Sequence, residues 1–414
     1  MTETIDLNSL TAEAEEKLKP IFEKYEKTSF INTKKVLDAF REERVSESCF
    51  MGSTGYGYDD RGRDTLERIF AKVFGKEKAL VRHTMISGTH ALTVALFGLL
   101  RPGDTFISVA GKPYDTLDEV IGTSLHNDEG SLADYGISYE QLELKDQRLD
   151  LEAIKEKLSS KYYKVVYVQR SKGYLDRRTL SVEELNGLYS LVKRVSPDSY
   201  VFVDNCYGAF VETSEPECDV MVGSLIKNAG GGMAETGAYV AGSEKAVEKI
   251  SYRMTSSGIG AEAGATLNTL KNMYKGFFYA PHTVCQALKT ATLAAYIFGK
   301  MGYETSPEWD EDRHDIIQAV KLLDGDKLCA FCRGIQKGSP VDAFVTPEPW
   351  DMPGYSDKVI MAAGTFTSGS SIELSADGPL RYPFIAYFQG GLTYESGKIG
   401  ILSAAEEVLA LDKQ

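Results

Sequence analysis

Apolar runs of strand length alternate with amphipathic helical segments between residues 65 and 242, and this alternation restricts the fold more than any other feature. The strand-like runs are KALVRHT, TFISVA, KVVYVQ, YVFVDNC, CDVMVGSL and TGAYVAG. The helical segments around them are TLERIFAKVFG, HALTVALFGLL, LEAIKEKLS and SVEELNGLYSLVKRV. Short β-branched runs connected by amphipathic helices are typical of parallel strands. The sequence therefore predicts an α/β fold in which helices cover both faces of a mostly parallel sheet.

The N-terminal residues predict helix rather than strand. Residues 8 to 48 have helical periodicity with many charges, and either Asn8 or Ser9 is suited to start the helix. Residues 51 to 64 (MGSTGYGYDDRGRD) interrupt that pattern with glycines and tyrosines. We expect this segment to be irregular and the next helix to follow it.

The last third of the chain predicts a smaller α/β domain. Residues 283 to 301 have the pattern of a long linking helix, and a final helix is expected from about Glu395. The strand-like runs between them are VDAFVTP, KVIMAAG and PFIAYFQGG. A chain of 414 residues is too long for one ordinary core and suits two domains. We therefore predict a helical arm at 1–50, a large cofactor-binding domain at 51–282 and a small domain at 283–414.

The composition disfavours several classes of partner. Hydrophobic residues make up 43% of the chain, which is enough for packed cores, and the formal net charge is −14 at pH 7. An acidic surface disfavours general binding to nucleic acid or to anionic membranes. The sequence contains no leader of the secretory kind and no stretch of 18 uninterrupted apolar residues. We expect a cytoplasmic protein that acts on a small molecule.

The six cysteines do not predict a metal site. Cys329 and Cys332 form a C-x-x-C, but no second pair and no nearby histidine complete a zinc site. The surrounding run DGDKLCAFCRGIQKG has the pattern of an amphipathic helix with two buried thiols. We expect no bound metal and reduced thiols.

Lys227 stands in the run GSLIKNAGGGMAET, after an apolar strand and before three glycines. A solvated loop lysine is the ordinary interpretation of such a residue. A lysine in a buried position is costly unless it is paired, deprotonated or covalently bonded. A partly deprotonated lysine amine is also a good nucleophile. The position therefore makes Lys227 a candidate for a covalent link to a carbonyl group.

Two other segments offer groups for one cofactor. Ser87, Gly88 and Thr89 lead directly into a helix, whose N-terminus presents free N–H groups to a phosphate, although serine and threonine are also common helix caps. Asp204 ends an apolar strand, where open α/β sheets place ligands, although it too is able to serve as a cap. Ser224 lies three residues before Lys227 and adds a hydroxyl for a phosphate.

Together these groups match pyridoxal 5′-phosphate. Its phosphate requires a helix N-terminus, its pyridine nitrogen a carboxylate and its aldehyde a lysine. The phosphate helix, a strand-end aspartate and a loop lysine occur here in that chain order. We predict that Lys227 forms the Schiff base.

The sequence resembles the fold-type I pyridoxal-phosphate enzymes of cysteine and methionine metabolism. More closely, it resembles the methionine gamma-lyase family, in the branch of aluminium-resistance proteins related to cystathionine beta-lyase. The matching runs are STGYGYDDRGRD, SGTHAL, QRSKGY, VDNCYGAF, GSLIKNAGGGMAETGAYVAG, APHTVCQAL and YFQGGLTYE. The resemblance covers nearly the whole chain. It implies the aspartate aminotransferase-like fold with a large and a small domain.

The resemblance also implies roles for three tyrosines and an arginine. Tyr114 would stack on the pyridine ring, although it equally suits a loop packing residue. Family members use a tyrosine and an arginine two residues later to reach the phosphate of a neighbouring subunit. Here Tyr58 and Arg61 are three residues apart, so Tyr56, Tyr58 and Arg61 are joint candidates. This role implies a homodimer, or a homotetramer built from dimers.

A substrate carboxylate requires a cationic clamp, for which the planar fork of arginine is best suited. Arg381 lies in the apolar run SADGPLRYPFIAYFQGG, and Arg170 follows the strand KVVYVQ. Both remain candidates, with Arg381 favoured because an isolated base in an apolar run suggests an anionic partner.

The residues and the resemblance together imply a carbon-sulfur lyase. Lys227, freed by the substrate amine, would move the Cα proton, and Asp204 would keep the pyridine protonated. Tyr114 or Tyr58 would assist proton transfers. The choice between β- and γ-elimination stays open. The alternatives are another pyridoxal-phosphate reaction (transamination, aldol cleavage or synthesis) and a non-catalytic role in metal tolerance.

Overall fold

The computed structural model describes residues 5–123, 129–353 and 355–411. The helices are α1 (Leu7–Glu42), α2 (Arg61–Val73), α3 (Gly88–Leu99), α4 (Asp118–Ile121), α5 (Leu151–Ser160), α6 (Val182–Val195), α7 (Glu244–Met254), α8 (Leu270–Lys300), α9 (Gly325–Lys337) and α10 (Tyr394–Leu411). The strands are β1 (Lys78–Arg82), β2 (Thr105–Ser108), β3 (Ser138–Gln141), β4 (Val165–Gln169), β5 (Tyr200–Asp204), β6 (Val220–Ser224), β7 (Ala238–Gly242), β8 (Glu304–Ser306), β9 (Gln318–Lys321), β10 (Val359–Ala362), β11 (Ser375–Pro379) and β12 (Ile385–Gln389).

The large sheet has seven strands in the order β1-β7-β6-β5-β4-β2-β3. The five strands from β6 to β3 in this order run parallel to one another. Strand β7 is antiparallel to both of its neighbours, β6 and β1. The predicted, mostly parallel sheet is therefore confirmed, with the two antiparallel pairings confined to one end.

Both faces of this sheet are covered. On β5, Val201 and Val203 belong to a core that includes side chains of α2, α6 and α8. The alternating residue Phe202 belongs to a second core, formed with α3 and α7. Successive side chains of a strand point to opposite faces, so a strand buried on both faces must be apolar throughout. This requirement explains why the sequence shows continuous apolar runs rather than alternation.

The small domain contains a five-stranded antiparallel sheet in the order β10-β11-β12-β9-β8. Its core lies between this sheet, α9, α10 and the C-terminal part of α8. The runs KVIMAAG and PFIAYFQGG supply β10 and β12 as expected. The prediction of a strand at VDAFVTP is wrong, because residues 341–347 form turns, and Phe344 and Val345 are exposed. The predicted amphipathic helix with two buried thiols is confirmed as α9.

Two helix starts differ from the expectation. Helix α1 begins at Leu7, not after Asn8 or Ser9, because Asp6 is the cap and accepts a hydrogen bond from the Asn8 N–H at 3.1 Å. Helix α2 begins at Arg61, inside the segment predicted to be irregular, because Asp60 accepts from the backbone N–H of Arg63 at 2.9 Å. Arg61 is therefore a helical residue.

Helix α8 is longer than the predicted linking helix and connects the two domains. Its residues up to Leu288 contribute to the core of the large domain, and those from Leu293 onward contribute to the small-domain core. Helix α1 packs along it, with Leu18 in one core and Val36 in the other. The predicted boundary at 282/283 falls within α8 and remains a prediction.

The parallel strands bring three chain positions to one edge of the large sheet. In the register of the strands, Gln169 of β4 pairs with Asp204 of β5, which pairs with Val222 of β6. Ser224 is the last residue of β6, and Lys227 follows it by three residues. The carboxyl ends of parallel strands share one edge, so the sheet itself assembles the candidate site there.

The contact between α9 and α10 predicts a stability effect. A Cβ on Gly334 would lie 2.3 Å from the Ala404 Cα, so we expect Gly334→Ala to lower the free energy of unfolding by ~1–3 kcal/mol. Gly299 of α8 has open space around it, and Gly299→Ala is expected to be neutral or stabilising by up to ~1 kcal/mol. Urea denaturation of the two variants measures the difference. Equal effects would show that the α9–α10 contact tolerates a methyl group.

Candidate active site

Lys227 lies partly buried at the carboxyl edge of the large sheet. It precedes a short turn of 3₁₀ helix at Asn228–Gly230, and its Nζ lies 4.0 Å from the centroid of the Tyr207 ring. A cation over an aromatic face at this distance is attracted by the ring electrons. The ammonium of Lys227 is therefore held by Tyr207, a residue that the sequence did not single out as part of the site.

The surroundings of Lys227 favour its protonated form. Burial lowers the pKa of Lys227, but the nearby Tyr207, Cys206 and Asp204 outweigh burial and raise the pKa above its ordinary value. The amine must lose its proton before it attacks an aldehyde, and a bound cofactor changes the charges around it.

Asp204 is buried and held by two donors. One carboxylate oxygen accepts from the Tyr167 hydroxyl at 3.2 Å, and the other accepts from the Cys206 backbone N–H at 3.1 Å. Burial, followed by the charge of Asp204, raises the pKa of Tyr167 well above its ordinary value, so this hydroxyl stays protonated and continues to donate. Asp204 is thus fixed in orientation at the end of β5.

The N-terminus of α3 forms a cradle of phosphate size. Ser87 caps the helix and accepts from the His90 N–H at 3.1 Å, while the N–H groups of Gly88 and Thr89 have no acceptor in the part of the chain that the structure describes. Ser224 is buried beside Gly88, and its Oγ accepts from the Ile226 N–H at 3.2 Å, which leaves its hydroxyl proton to donate elsewhere. This donor set suits a phosphate.

Glycine at position 88 keeps the cradle open. A Cβ on Gly88 would lie 2.9 Å from the Cys206 Sγ and 3.5 Å from the Ser224 Cβ. Burial, with Asp204 beside it, raises the pKa of the Cys206 thiol to about 12, so the thiol packs against the cradle rather than acting as a nucleophile.

Tyr114 is positioned by the loop that follows β4. Its hydroxyl shares a hydrogen bond of 2.7 Å with that of Tyr355, from the small domain. Gly173 has a φ of +57°, and a Cβ there would lie 2.9 Å from the Tyr114 ring. The glycine of the QRSKGY run therefore allows the close approach of this ring. Burial, followed by Tyr355, raises the pKa of Tyr114 well above its ordinary value.

Tyr56, Tyr58 and Arg61 form an exposed group apart from Lys227. The two tyrosine rings stack with centroids 5.5 Å apart, and they are 75% and 53% exposed. Buried Arg63 donates to the carbonyl oxygens of Gly57 at 2.6 Å and of Gly264 at 3.1 Å, which fixes the segment to its own subunit. Within the described residues, no hydrogen bond, ion pair or ring contact connects the exposed group to Lys227.

The two candidate arginines have different environments. Arg170 is 1% exposed in its side chain and donates to Glu212 at 2.7 Å, to Asn205 at 2.8 Å and to backbone carbonyls. Arg381 is 39% exposed and contacts Asp357 at 2.8 Å and Asp115 at 3.9 Å. The donors of Arg170 are engaged inside the protein, which favours Arg381 as the clamp.

A cluster of tyrosines around Asp377 was not foreseen from the sequence. Tyr174, Tyr387 and their neighbours Tyr114, Tyr207 and Tyr355 pack together between the two domains. Burial raises the pKa of Asp377 to about 6, although Tyr174, Gln389 and the charge of Lys227 favour its ionised form. The available signal was an acid four residues before Arg381, in a run that is otherwise apolar.

Within the described residues, no group of three or more histidine, cysteine, aspartate and glutamate side chains is arranged to hold a metal ion. A search of the same residues finds no helix with the length and hydrophobicity needed to cross a membrane. The six cysteines are buried and form no disulfide.

The profile of the methionine gamma-lyase family matches residues 7–409. The chain belongs to the methionine gamma-lyase family. It is 50% identical over 407 residues to the protein YnbB of Bacillus subtilis strain 168, whose function is uncharacterized, with 97% of this chain and 96% of that one covered. The resemblance inferred from the sequence motifs is thereby confirmed.

Solved structures of similar proteins share the fold. A carbon-sulfur lyase involved in aluminum resistance from Clostridium novyi NT is 49% identical, with a TM-score of 0.92 over 96% of this chain and 94% of that one. A protein from Clostridium acetobutylicum, provisionally named as a cystathionine beta-lyase involved in aluminum resistance, is 46% identical, with a TM-score of 0.94 over 96% and 94%. The chain has the fold of type I pyridoxal-phosphate enzymes.

The cradle at α3 predicts how cofactor affinity responds to one methyl group. We expect Gly88→Ala to weaken the affinity for pyridoxal phosphate ~10- to 100-fold, because its Cβ fills space beside Ser224 and displaces phosphate hydrogen bonds. Titration of cofactor-free protein, followed by absorbance, measures the dissociation constant. Gly187→Ala, in open space on α6, is the control and should leave the dissociation constant of the cofactor unchanged. An unaltered affinity of Gly88→Ala would place the phosphate elsewhere.

Proposed function

We propose that this protein is a pyridoxal-phosphate-dependent carbon-sulfur lyase that acts on a sulfur amino acid. The observation that carries the proposal is the meeting of Lys227, Asp204 and the α3 cradle at one edge of the large sheet. Membership of the methionine gamma-lyase family and the similarity to the lyase of Clostridium novyi support the reaction class.

The residues fit the cofactor at each of its polar groups. Gly88, Thr89 and Ser224 would hold the phosphate, Asp204 the pyridine nitrogen and Lys227 the aldehyde carbon. Tyr114 would cover the ring, supported by Tyr355 and Gly173. When bound, pyridoxal phosphate supplies a sink for the electrons of the Cα–H bond.

The side chains of the protein would move the protons. Lys227 would hold the cofactor aldehyde and, once the substrate amine had taken its place, would accept the proton from Cα. Asp204, fixed by Tyr167 and the Cys206 N–H, keeps a proton on the pyridine nitrogen. The protonated hydroxyl of Tyr114 is suited to donate toward the departing sulfur.

The overall reaction conserves atoms and electrons. One C–S bond breaks, the sulfur leaves as a thiol with a proton, and one water molecule is consumed as ammonia and a 2-oxo acid are released. No external oxidant or reductant takes part. A thioether of cysteine yields pyruvate by β-elimination, and a thioether of homocysteine yields 2-oxobutanoate by γ-elimination.

Arg381 is the proposed clamp for the substrate α-carboxylate. It lies on the small domain just beyond β11, and Asp115 of the large domain is 3.9 Å from it. A bidentate carboxylate would exchange for the contact with Asp357, which is at the surface. Four of the five N–H donors of Arg170 are engaged inside the protein, which disfavours it for this role.

We also propose that the active site is shared between two copies of the chain in the cytoplasm. The segment at residues 51–58 exposes Met51, Tyr56 and Tyr58, and Leu267 beside it is 52% exposed. Large apolar side chains clustered at a surface are typical of an interface. Arg61 at the start of α2 would then reach the phosphate in the partner subunit.

The cofactor and reaction class are testable together. Purified protein should be yellow, and borohydride should fix the cofactor to Lys227, as located by peptide mass spectrometry. Incubation with thioethers of cysteine and homocysteine should release thiol, ammonia and 2-oxo acid in equal amounts. Lys227→Arg, which keeps the positive charge over Tyr207, should lose both the covalent link and turnover. An adduct at another lysine would contradict the assignment, and an amino acid formed without thiol release would indicate a different reaction.

The shared site is testable by mixing two inactive chains. Lys227→Ala and Arg61→Ala subunits should recover activity when they exchange, because a mixed dimer contains one complete site. Random mixing of equal amounts predicts about a quarter of wild-type activity. Lys227→Ala mixed with Asp204→Asn is the control and should stay inactive, since both residues belong to one chain's sheet edge. Mixed dimers without recovered activity would place Arg61 in its own subunit's site.

A further inference from the structure

Asp377 is a buried acid at the boundary between the domains, and one of its carboxylate oxygens has no hydrogen-bond partner among the described residues. It lies in the middle of β11 and is 8% exposed, and the oxygen without a partner is Oδ1. A buried carboxylate oxygen without a donor is costly, so such an atom requires a partner from outside the chain or a functional reason for lacking one. The Tyr174 hydroxyl and the Ser371 Oγ are also buried without partners.

Aromatic rings surround this carboxylate. The Tyr174 centroid lies 5.1 Å from that of Tyr387, 5.6 Å from that of Tyr114 and 5.7 Å from that of Tyr355. Asp377 interacts electrostatically with each of these four tyrosines. Aromatic faces together with one carboxylate form the usual environment of a bound organic cation. We define Asp377 and these four tyrosines as the cage.

Lysine and arginine side chains near the cage do not neutralise Asp377. Lys227 affects the ionisation of Asp377, but no salt bridge joins them within the described residues, and the Lys227 ammonium lies over Tyr207. Arg381 follows Asp377 by four residues and forms its ion pair with Asp357. The cage therefore retains a negative charge at neutral pH with no cation of its own opposite it.

The position of the cage relative to the proposed cofactor site determines which part of a substrate meets it. Tyr114 belongs to both the cage and the proposed cofactor stack, and Asp377 lies on β11 of the small domain. The α-carboxylate of a substrate is repelled by Asp377 and is drawn to Arg381. The chain distance from Asp377 to Arg381 is at most about 13 Å, which an extended amino acid can span. The distal end of the substrate is thus the part that faces Asp377.

Resting on the proposed lyase function, we propose that the cage binds a primary ammonium on the leaving group of the substrate, with Asp377 as the specificity-determining residue. An ammonium has three N–H donors, and Asp377 Oδ1 and the hydroxyl of Tyr174, which interacts with Asp377, are buried groups able to accept. The preferred substrate is therefore a thioether amino acid whose departing thiol carries an amine.

The test compares two substrates of nearly equal shape. S-(2-aminoethyl)-L-cysteine carries the distal ammonium, and S-propyl-L-cysteine replaces it with a methyl group; the corresponding homocysteine thioethers cover γ-elimination. The wild-type enzyme should prefer the aminoethyl compound in kcat/KM by about tenfold or more. Asp377→Asn should remove most of this preference, because it should lower kcat/KM for the aminoethyl compound far more than for the propyl compound. Glu407→Gln, an exposed acid on α10 paired with Lys337, is the control and should keep it.

Binding is measured separately from turnover. Absorbance titration of the cofactor-loaded protein with each compound gives the dissociation constant of that compound. Asp377→Asn should weaken the binding of the aminoethyl compound only. A wild-type preference for the propyl compound, or an equal loss for both compounds in Asp377→Asn, would overturn the proposal. Asp377→Asn could instead change the pH dependence of the absorbance of the lysine-bound cofactor without altering substrate selectivity. This result would show that Asp377 influences the ionisation of Lys227 and does not bind the substrate. Release of a thiol from either compound supports the lyase function, whatever the role of Asp377. Selective binding of the aminoethyl compound without any thiol release would contradict the lyase function but not the proposed role of the cage.

Discussion

The hydrogen bonds of Arg170 fix the turn on which the rest of the site depends. Its guanidinium connects the end of β4 to Asn205 at 2.8 Å, to the Gly208 carbonyl at 3.0 Å and to Glu212 at 2.7 Å. These atoms lie in the turn after β5, which carries Cys206 and Tyr207. Breaking such a buried pair costs ~3–5 kcal/mol, because the remaining charge has no partner. The cation contact at Lys227 and the backbone donor to Asp204 both originate from this turn.

The same network extends toward the small domain. Glu212 also contacts the His314 Nδ1 at 3.0 Å, in the segment between β8 and β9. Burial opposes ionisation of Glu212, but His314 and Arg170 lower its pKa below the ordinary value. The turn after β5 therefore has one partner in each domain. Helix α8 and the contacts of Glu212 with Arg170 and His314 both connect the large domain to the small one. The proposed active site lies at this boundary between the domains.

The sequence was informative where one local rule determines the structure. Continuous apolar runs such as that of β5 predict buried parallel strands, and their register then brings Asp204 and Ser224 together. It was less informative where distant segments meet. Arg170 has the sequence context of a ligand-binding arginine, yet the structure pairs it with Glu212, 42 residues later, a contact that the local sequence does not reveal. VDAFVTP has strand composition, but no neighbouring strand pairs with it, and strand propensity depends on such pairing. The cage likewise combines residues separated by up to 273 positions, from Tyr114 to Tyr387.

Asp204 and Asp377 are buried to a similar extent but differ in their hydrogen bonds, and this difference suits them to different kinds of partner. Asp204 receives donors from Tyr167 and the Cys206 backbone, so its orientation is fixed before any cofactor arrives. The Oδ1 of Asp377 receives no such donor, although its burial is similar. A carboxylate oriented in advance suits a cofactor that stays bound through many turnovers, because little reorganisation is needed during the reaction. A carboxylate whose bonds are incomplete suits a group that must bind and then leave with the product, since very strong retention would slow release. With the proposed roles, the permanent partner would bind at the large sheet and the transient one at the small domain.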